Sequence, residues 1–221
     1  MKDLVLLGDR DVRFRTHREL DAAIAQLPSH VHARWVGTDT PAAASTGEAD
    51  GLWVVSGSPY RDDAAVYAAI NTARTTGQPF LGTCGGFQYA VIEFARNAAG
   101  IADADHAETA TGTNSLVVDR LACGLVGEER TVRSVAGTRV ASLCGEAPFV
   151  GFHWCNYGLS PDYIDRLVRS GLVVSATADD AGVEAVELPG HPFFIATLFQ
   201  PQVGAAAGQP LHPIIRAFVE A

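Results

Sequence analysis

The chain has 221 residues, enough for one ordinary α/β domain or at most two small ones. Hydrophobic residues make up 48% and charged residues 19%, which excludes intrinsic disorder and supplies a full core. The formal net charge of −9 repels phosphate backbones and anionic lipid, so neither nucleic acid nor a membrane surface is an expected partner.

In chain order, short β-type runs alternate with helical stretches. Leu4–Leu7 reads as a buried strand closed by Gly8. Thr16–Leu27 reads as a helix, with Thr16 and Glu19 in capping-box spacing and Leu20, Ile24 and Leu27 on one face. Ala33–Val36 and Leu52–Val55 are the next two strands, Asp62–Thr75 a helix, and Pro79–Leu81 leads into a fourth strand. Gly86–Ala98 is helical again, with Phe87, Val91, Ile92 and Phe94 as its apolar set. Strands without a polar face, joined by helices, predict a three-layer α/β/α fold around a mostly parallel sheet. From about residue 110 to 150 the pattern changes to short strands near turns, Ser115–Asp119 and Thr131–Val135, read as an antiparallel flap-like insertion. Pro161–Ser170 is a helix, the runs Leu172–Ala176, Val183–Leu188 and Phe193–Phe199 resume the sheet, and His212–Glu220 is a closing helix. No repeat, low-complexity tract or linker divides the chain, so a single domain over residues 1–221 is expected.

Four cysteines stand at 84, 123, 144 and 155, with no CxxC pair among them. These spacings match neither a zinc site nor a disulfide framework, and no metal or cofactor is expected. The apolar run Leu4–Leu7 is too short for the core of a signal peptide, and no run is long enough to cross a bilayer. A reduced, cytoplasmic protein is the expectation.

The segment Pro79-Phe-Leu-Gly-Thr-Cys-Gly-Gly-Phe-Gln88 places Cys84 between a strand and a helix. Glycines at 82, 85 and 86 permit a sharp turn that projects one side chain from the carboxyl edge of the sheet. A thiol there faces the positive end of a helix, which favours thiolate, and backbone N–H groups just after it can receive an oxyanion.

This elbow, with the Ala90-Val-Ile-Glu-Phe-Ala-Arg-Asn97 that follows, resembles the class I glutamine amidotransferases and, more narrowly, the glutaminase domain of CTP synthases. The segments Gly182–Ala196 and Gln209–Phe218 continue the likeness, so it covers nearly the whole chain. The resemblance implies a flavodoxin-like amidotransferase fold and a Cys–His–Glu triad whose thiolate attacks the side-chain amide of glutamine. It further implies an oxyanion hole from Gly85 and from the loop Val55-Ser-Gly-Ser-Pro59, with Gly57 or Ser58 as the backbone donor where the family has Pro-Gly-Gly. Gln88 matches the elbow glutamine of the family, and Glu108 stands where the family has the acid that holds the substrate ammonium. An amino-acid-like ligand or amide substrate follows, together with a synthetase partner or self-association. The length leaves no room for the amidoligase domain of CTP synthases, so no CTP synthesis is expected from these residues alone.

The family carries its His and Glu in a Phe-His-Pro-Glu motif after a strand, and here that strand runs into Phe199-Gln-Pro-Gln202. Both triad partners are glutamine, Gln200 and Gln202. A carboxamide has no useful basicity, so it can neither take nor return a proton. Loss of a triad member costs proteases roughly four to six orders of magnitude in turnover, and glutamine hydrolysis is expected to be very weak. Three readings stand. One is a degenerate amidotransferase-like domain. Another is a Cys84-dependent hydrolase or transferase acting on a different amide or ester, with a substitute base. The last is a non-catalytic binding or regulatory module. His153 is the best substitute base and a candidate substrate contact, in a segment aligned with the arginine-rich lining of the family's glutamine site; His106 is a weaker one. Cys155 lies in the same segment as His153, whereas Cys123 and Cys144 fall in the variable flap.

Overall fold

The computed structural model describes residues 1–112 and 115–221, so Thr113 and Asn114, within the expected flap, lie outside the described residues. The elements run β1 (Lys2–Leu7), α1 (Arg15–Ala25), β2 (Val31–Val36), β3 (Gly51–Val54), α2 (Asp63–Thr76), β4 (Phe80–Thr83) and α3 (Gly85–Asn97). Next come β5 (Ala104–His106), β6 (Ser115–Arg120), β7 (Glu128–Ser134), α4 (Arg139–Cys144), β8 (Phe149–His153) and β9 (Tyr157–Leu159). The chain closes with α5 (Pro161–Arg169), β10 (Val173–Ala178), β11 (Gly182–Glu187), β12 (Phe194–Thr197) and α6 (Pro213–Glu220).

Every residue of β3, β4 and β12 is buried, as strands lacking a polar face must be when helices cover both sides. The central sheet has nine strands in the order β2-β1-β3-β4-β12-β11-β10-β7-β8. Its first five strands pair parallel, and β11, β10, β7 and β8 continue it antiparallel. Side chains alternate across it. Val5, Leu7, Leu52 and Val54 pack with Val66 and Ile70 of α2 and Val91 of α3, while Leu4, Leu6, Trp53 and Val55 face Leu20 of α1 and Ile215 and Phe218 of α6. Two apolar cores on opposite faces of one sheet make the three layers. Burial of each large apolar side chain contributes about 1.5–3 kcal/mol.

The sequence expectations hold for this framework and fail in two places. First, β7 and β8 are not part of a separate flap. They extend the central sheet, β7 through antiparallel pairing with β10, while β6 leaves to form a three-stranded sheet with β5 and β9. Second, Thr16 does not cap α1. The N-cap is Phe14, without a side-chain hydrogen bond, and buried Glu19 accepts from the backbone N–H groups of Gly204 and Ala206 at 3.1 and 2.8 Å. Glu19 thus ties α1 to the loop after β12 instead of closing its own first turn. At α2 the first residue of the expected helix is the cap, with the Asp62 carboxylate accepting from Ala65 N–H at 3.0 Å.

The register of β4 against β12 prepares the site. Thr83 sits beside Thr197, and the Cys84 N–H donates to Thr197 O at 2.8 Å. The residues that follow each strand therefore emerge together at one carboxyl edge, which is where parallel sheets with this layering hold their ligands.

Candidate active site

Cys84 is the N-cap of α3, with φ 53° and ψ −106°. No other described non-glycine residue has a positive φ. Such a conformation costs on the order of 1–3 kcal/mol and persists only where the surroundings enforce it. Here glycines enforce it by letting backbones touch. A methyl group at Gly86 would stand 2.1 Å from Val54 O, and one at Gly82 would stand 2.7 Å from Gly86 O. Cys84 is consequently held between β4 and α3, 5% exposed, with its Sγ 3.6 Å from Trp154 O.

A cavity of about 220 Å³ opens over the thiol, walled among others by Gly57, Ser58, Gln88, Glu108, Cys155 and Gln200. That is below the roughly 300 Å³ at which drug-sized sites begin, and it suits a ligand the size of an amino acid. Exposed Phe14, Val126 and Trp154 form an apolar part of its rim. The loop bearing Gly57 and Ser58 lies directly against the elbow, because a methyl group at Gly85 would meet Ser58 Cβ and Oγ at 2.9 Å and Ser58 N at 3.0 Å. Backbone N–H groups of the elbow and the loop are thereby neighbours beside the thiol.

Gln88 is buried and almost fully engaged. Its Oε1 accepts from Ser58 Oγ and from His106 Nε2, both at 3.1 Å, and its Nε2 donates to Tyr157 O at 2.8 Å. The ring of His106 is fixed by Glu108 N–H, which donates to its Nδ1 at 3.1 Å, and burial holds its pKa down to about 4. With both nitrogens occupied and no charge near neutrality, His106 is a floor for Gln88 and not a base. Glu108 reaches the cavity wall, and desolvation raises its carboxyl above the ordinary value, against the opposing pull of Arg120.

Gln200 and Gln202 are 2% and 1% exposed. Gln202 Nε2 donates to Gln200 Oε1 at 2.8 Å, and Gln200 Nε2 has no hydrogen-bond partner among the described residues. The pairing of β4 with β12 carries Gln200 to the cavity wall, whereas Gln202 is not among the lining residues.

The structure does not bring His153 to the cavity. It is wholly buried behind the wall, with Nε2 2.9 Å from both carboxylate oxygens of Glu184, and Trp154 and Cys155 take the cavity-lining positions at the end of β8. Its Nδ1 has no hydrogen-bond partner among the described residues. His191 and His212 serve local backbone turns, and Glu93 is 0% exposed, bound by Arg74 at 2.8 and 2.9 Å within the α2–α3 interface. Cys123 is exposed, Cys144 lies in α4, and neither joins the cavity.

His17 is a cavity residue without a sequence signal. His17, inside α1 and 1% exposed, accepts the Asp11 N–H at Nδ1 (2.9 Å) and therefore donates from Nε2 to Ser56 O (2.8 Å). It braces the strand end that leads into the Gly57–Ser58 loop. A histidine in a helical stretch looks like any other polar helix residue until the fold places α1 beside β3.

Comparison with known proteins adds the following. The family model "Glutamine amidotransferase class-I" matches residues 14–209. A CTP synthase of Methanoregula boonei is 33% identical over 228 aligned positions, covering 97% of this chain and 42% of that protein. Another, from Aeropyrum pernix, is 38% identical over 185 positions, covering 79% and 34%. The chain thus spans about two fifths or less of the length of these relatives. Among solved structures, the glutaminase domain of Trypanosoma brucei CTPS with bound acivicin superposes with a TM-score of 0.84 at 24% identity, over all of this chain and 94% of that one. A glutamine amidotransferase of Thermotoga maritima gives 0.59 at 13% identity, over 99% of this chain and 81% of that one. With a family match over most of its length, on a sheet whose parallel half carries a strained cysteine elbow, the chain belongs to the class I glutamine amidotransferases.

Proposed function

We propose that this chain is a CTP-synthase-related amidotransferase-like domain that keeps its thiol and an amino-acid-sized cavity but has lost the proton-transfer half of its triad. The observation that carries the reading is the buried hydrogen-bonded pair Gln200–Gln202, of which Gln200 lines the cavity that holds Cys84. In the full reaction the thiolate attacks the side-chain amide of glutamine, and the oxyanion is received by the N–H groups of Gly85 and of Gly57 or Ser58. Expulsion of ammonia then requires a proton on the leaving nitrogen. The amide of Gln200 cannot supply it, so the adduct collapses back to thiol and glutamine. Glu108 and Gln88 shape the end of the cavity that would hold the amino-acid head group. Glutaminase turnover near background is expected, and no CTP synthesis by this domain alone. A synthetase partner or self-association would have to supply anything further.

Replacement of the base by another histidine is not favoured. Both ring nitrogens of His17 and of His106 are engaged, and His153 is committed to Glu184 off the cavity wall.

The test is covalent labelling with a glutamine-like chloroketone, since alkylation returns no proton to a leaving amine. A single adduct on Cys84, slowed by excess glutamine, is the expected result. Absence of labelling at saturating reagent overturns the reading.

A further inference from the structure

Cys155 is a second thiol in the cavity, and nothing in amide chemistry uses it. It is 7% exposed and Cys84 is 5% exposed, and both line the same cavity. Cys84 Sγ donates to the carbonyl of Trp154, the residue before Cys155, at 3.6 Å, which brings the two cysteines side by side on that wall. The neighbouring Cys84 sulfur, and then burial, push the Cys155 thiol well above its ordinary value, so Cys155 stays protonated.

Rigid backbone holds both ends of the contact. Cys84 is fixed by the elbow, its N–H bound to Thr197 O and its carbonyl accepting from Gln88 N–H at 3.1 Å. On the other side, Leu125 N–H donates to Cys155 O at 2.9 Å, and Gly127 N–H to His153 O at 3.0 Å. A disulfide joins Cα atoms about 5.5–6 Å apart, a span that the contact of Cys84 Sγ with the carbonyl preceding Cys155 brings within reach of side-chain rotation.

We propose that Cys84 and Cys155 form a reversible dithiol–disulfide pair that reduces hydroperoxides, with Cys84 as the attacking sulfur and Cys155 as the resolving thiol. In the first step the Cys84 thiolate attacks one oxygen of the hydroperoxide and the O–O bond breaks. Cys84 becomes a sulfenic acid, and the other oxygen leaves as alcohol or water after taking a proton from solvent. In the second step the Cys155 sulfur attacks the sulfenic sulfur, its proton leaves with the hydroxyl as water, and the disulfide forms. A small dithiol, oxidised in turn, restores the pair by thiol–disulfide exchange. Neither step has to protonate an amine leaving group, the task for which Gln200 and Gln202 lack a base, because the leaving oxyanion needs hydrogen bonds more than a general acid.

The experiment treats the reduced chain with one equivalent of hydrogen peroxide, counts free thiols after denaturation and maps peptides without reduction. Loss of two of the four thiols, a linked pair of peptides carrying Cys84 and Cys155, and full recovery with dithiothreitol are expected. In Cys155→Ser the disulfide disappears and a dione reagent traps a sulfenic acid on Cys84; in Cys84→Ser neither product forms. The wild-type peptide map stands on its own should either variant fold poorly. A disulfide through Cys123 or Cys144 overturns the proposal. So does sulfinic acid on Cys84 with Cys155 still free, and so does unchanged thiol content in a chain whose Cys84 alkylates readily. Chloroketone labelling keeps the two ideas separate. Disulfide without labelling leaves the dithiol standing and removes the glutamine cavity, and labelling without disulfide does the reverse.

Discussion

Gln202 donates an amide N–H to Gln200 at 2.8 Å, both side chains buried, and Gln200 lines the cavity that holds the Cys84 thiol. The pair is a fixed, oriented device in which one carboxamide sets the rotation of the next. It can hold a ligand oxygen, and it cannot move a proton.

Gln200→His with Gln202→Glu is therefore expected to raise glutamate release from glutamine by about 10² to 10⁴, the range a positioned general base contributes. Glutamate and ammonia measured against the parent chain and against Cys84→Ala check it. Turnover left at background would mean that the cavity no longer accepts glutamine.

The elbow predicts an ordering of stabilities at position 84. Cys84→Gly should be more stable than Cys84→Ala by about 1 kcal/mol, because relief of a φ of 53° outweighs the extra chain entropy of glycine. Denaturant midpoints of the two variants decide it; equal midpoints would mean that the turn stores no strain. Gly86→Ala should be far worse than either, since its methyl group has Val54 O 2.1 Å away.

Beneath the elbow helix, Arg74 grips Glu93 with two hydrogen bonds, and Glu93 is 0% exposed. Arg74→Ala should cost about 3–5 kcal/mol by leaving a buried carboxylate with only the amides of Asn71 and Asn97. Adding Glu93→Gln to Arg74→Ala should restore part of that loss. Chemical denaturation of the single and double variants measures the coupling, and additive losses would show that the pair contributes no interaction of its own.

Acid should destabilise the fold through two buried histidines. Burial lowers the pKa of His106 to about 4, opposed by Asp105, and lowers that of His212 to about 4, helped by Arg216. Between about pH 6.5 and 4 the unfolded chain binds protons that these folded residues refuse, so stability falls as pH falls through that window. Summed over the two, the loss is on the order of a few kcal/mol. Thermal midpoints measured across the window check it, and His212→Asn, which keeps an N-cap acceptor, should flatten the profile.

Much of the framework was legible in the sequence because its signals are local. Strands β3, β4 and β12 lack polar faces, Asp62 stands three residues before the N–H that it caps, and glycines at 82, 85 and 86 flank a cysteine that needs a forbidden φ. The replacement of a histidine and a glutamate by Gln200 and Gln202 is visible in the letters alone. The same locality misled the reading of Thr16 and Glu19: correct capping-box spacing lost to a tertiary bond, because Glu19 found the unpaired N–H groups of Gly204 and Ala206.

What the tertiary structure alone decided is which distant side chains share the cavity. Cys84 meets the Cys155 segment across a separation of about seventy residues, and that contact depends on strand order and register, not on any pattern in either stretch. His17 enters because α1 packs beside β3; His153 is turned away because Glu184 of β11 holds its ring in the buried layer. Residues a few positions apart are related by backbone dihedrals, which sequence dictates directly. Residues on different strands are related only by how the whole sheet assembles, and it was the assembly that turned one conspicuous cysteine into a pair.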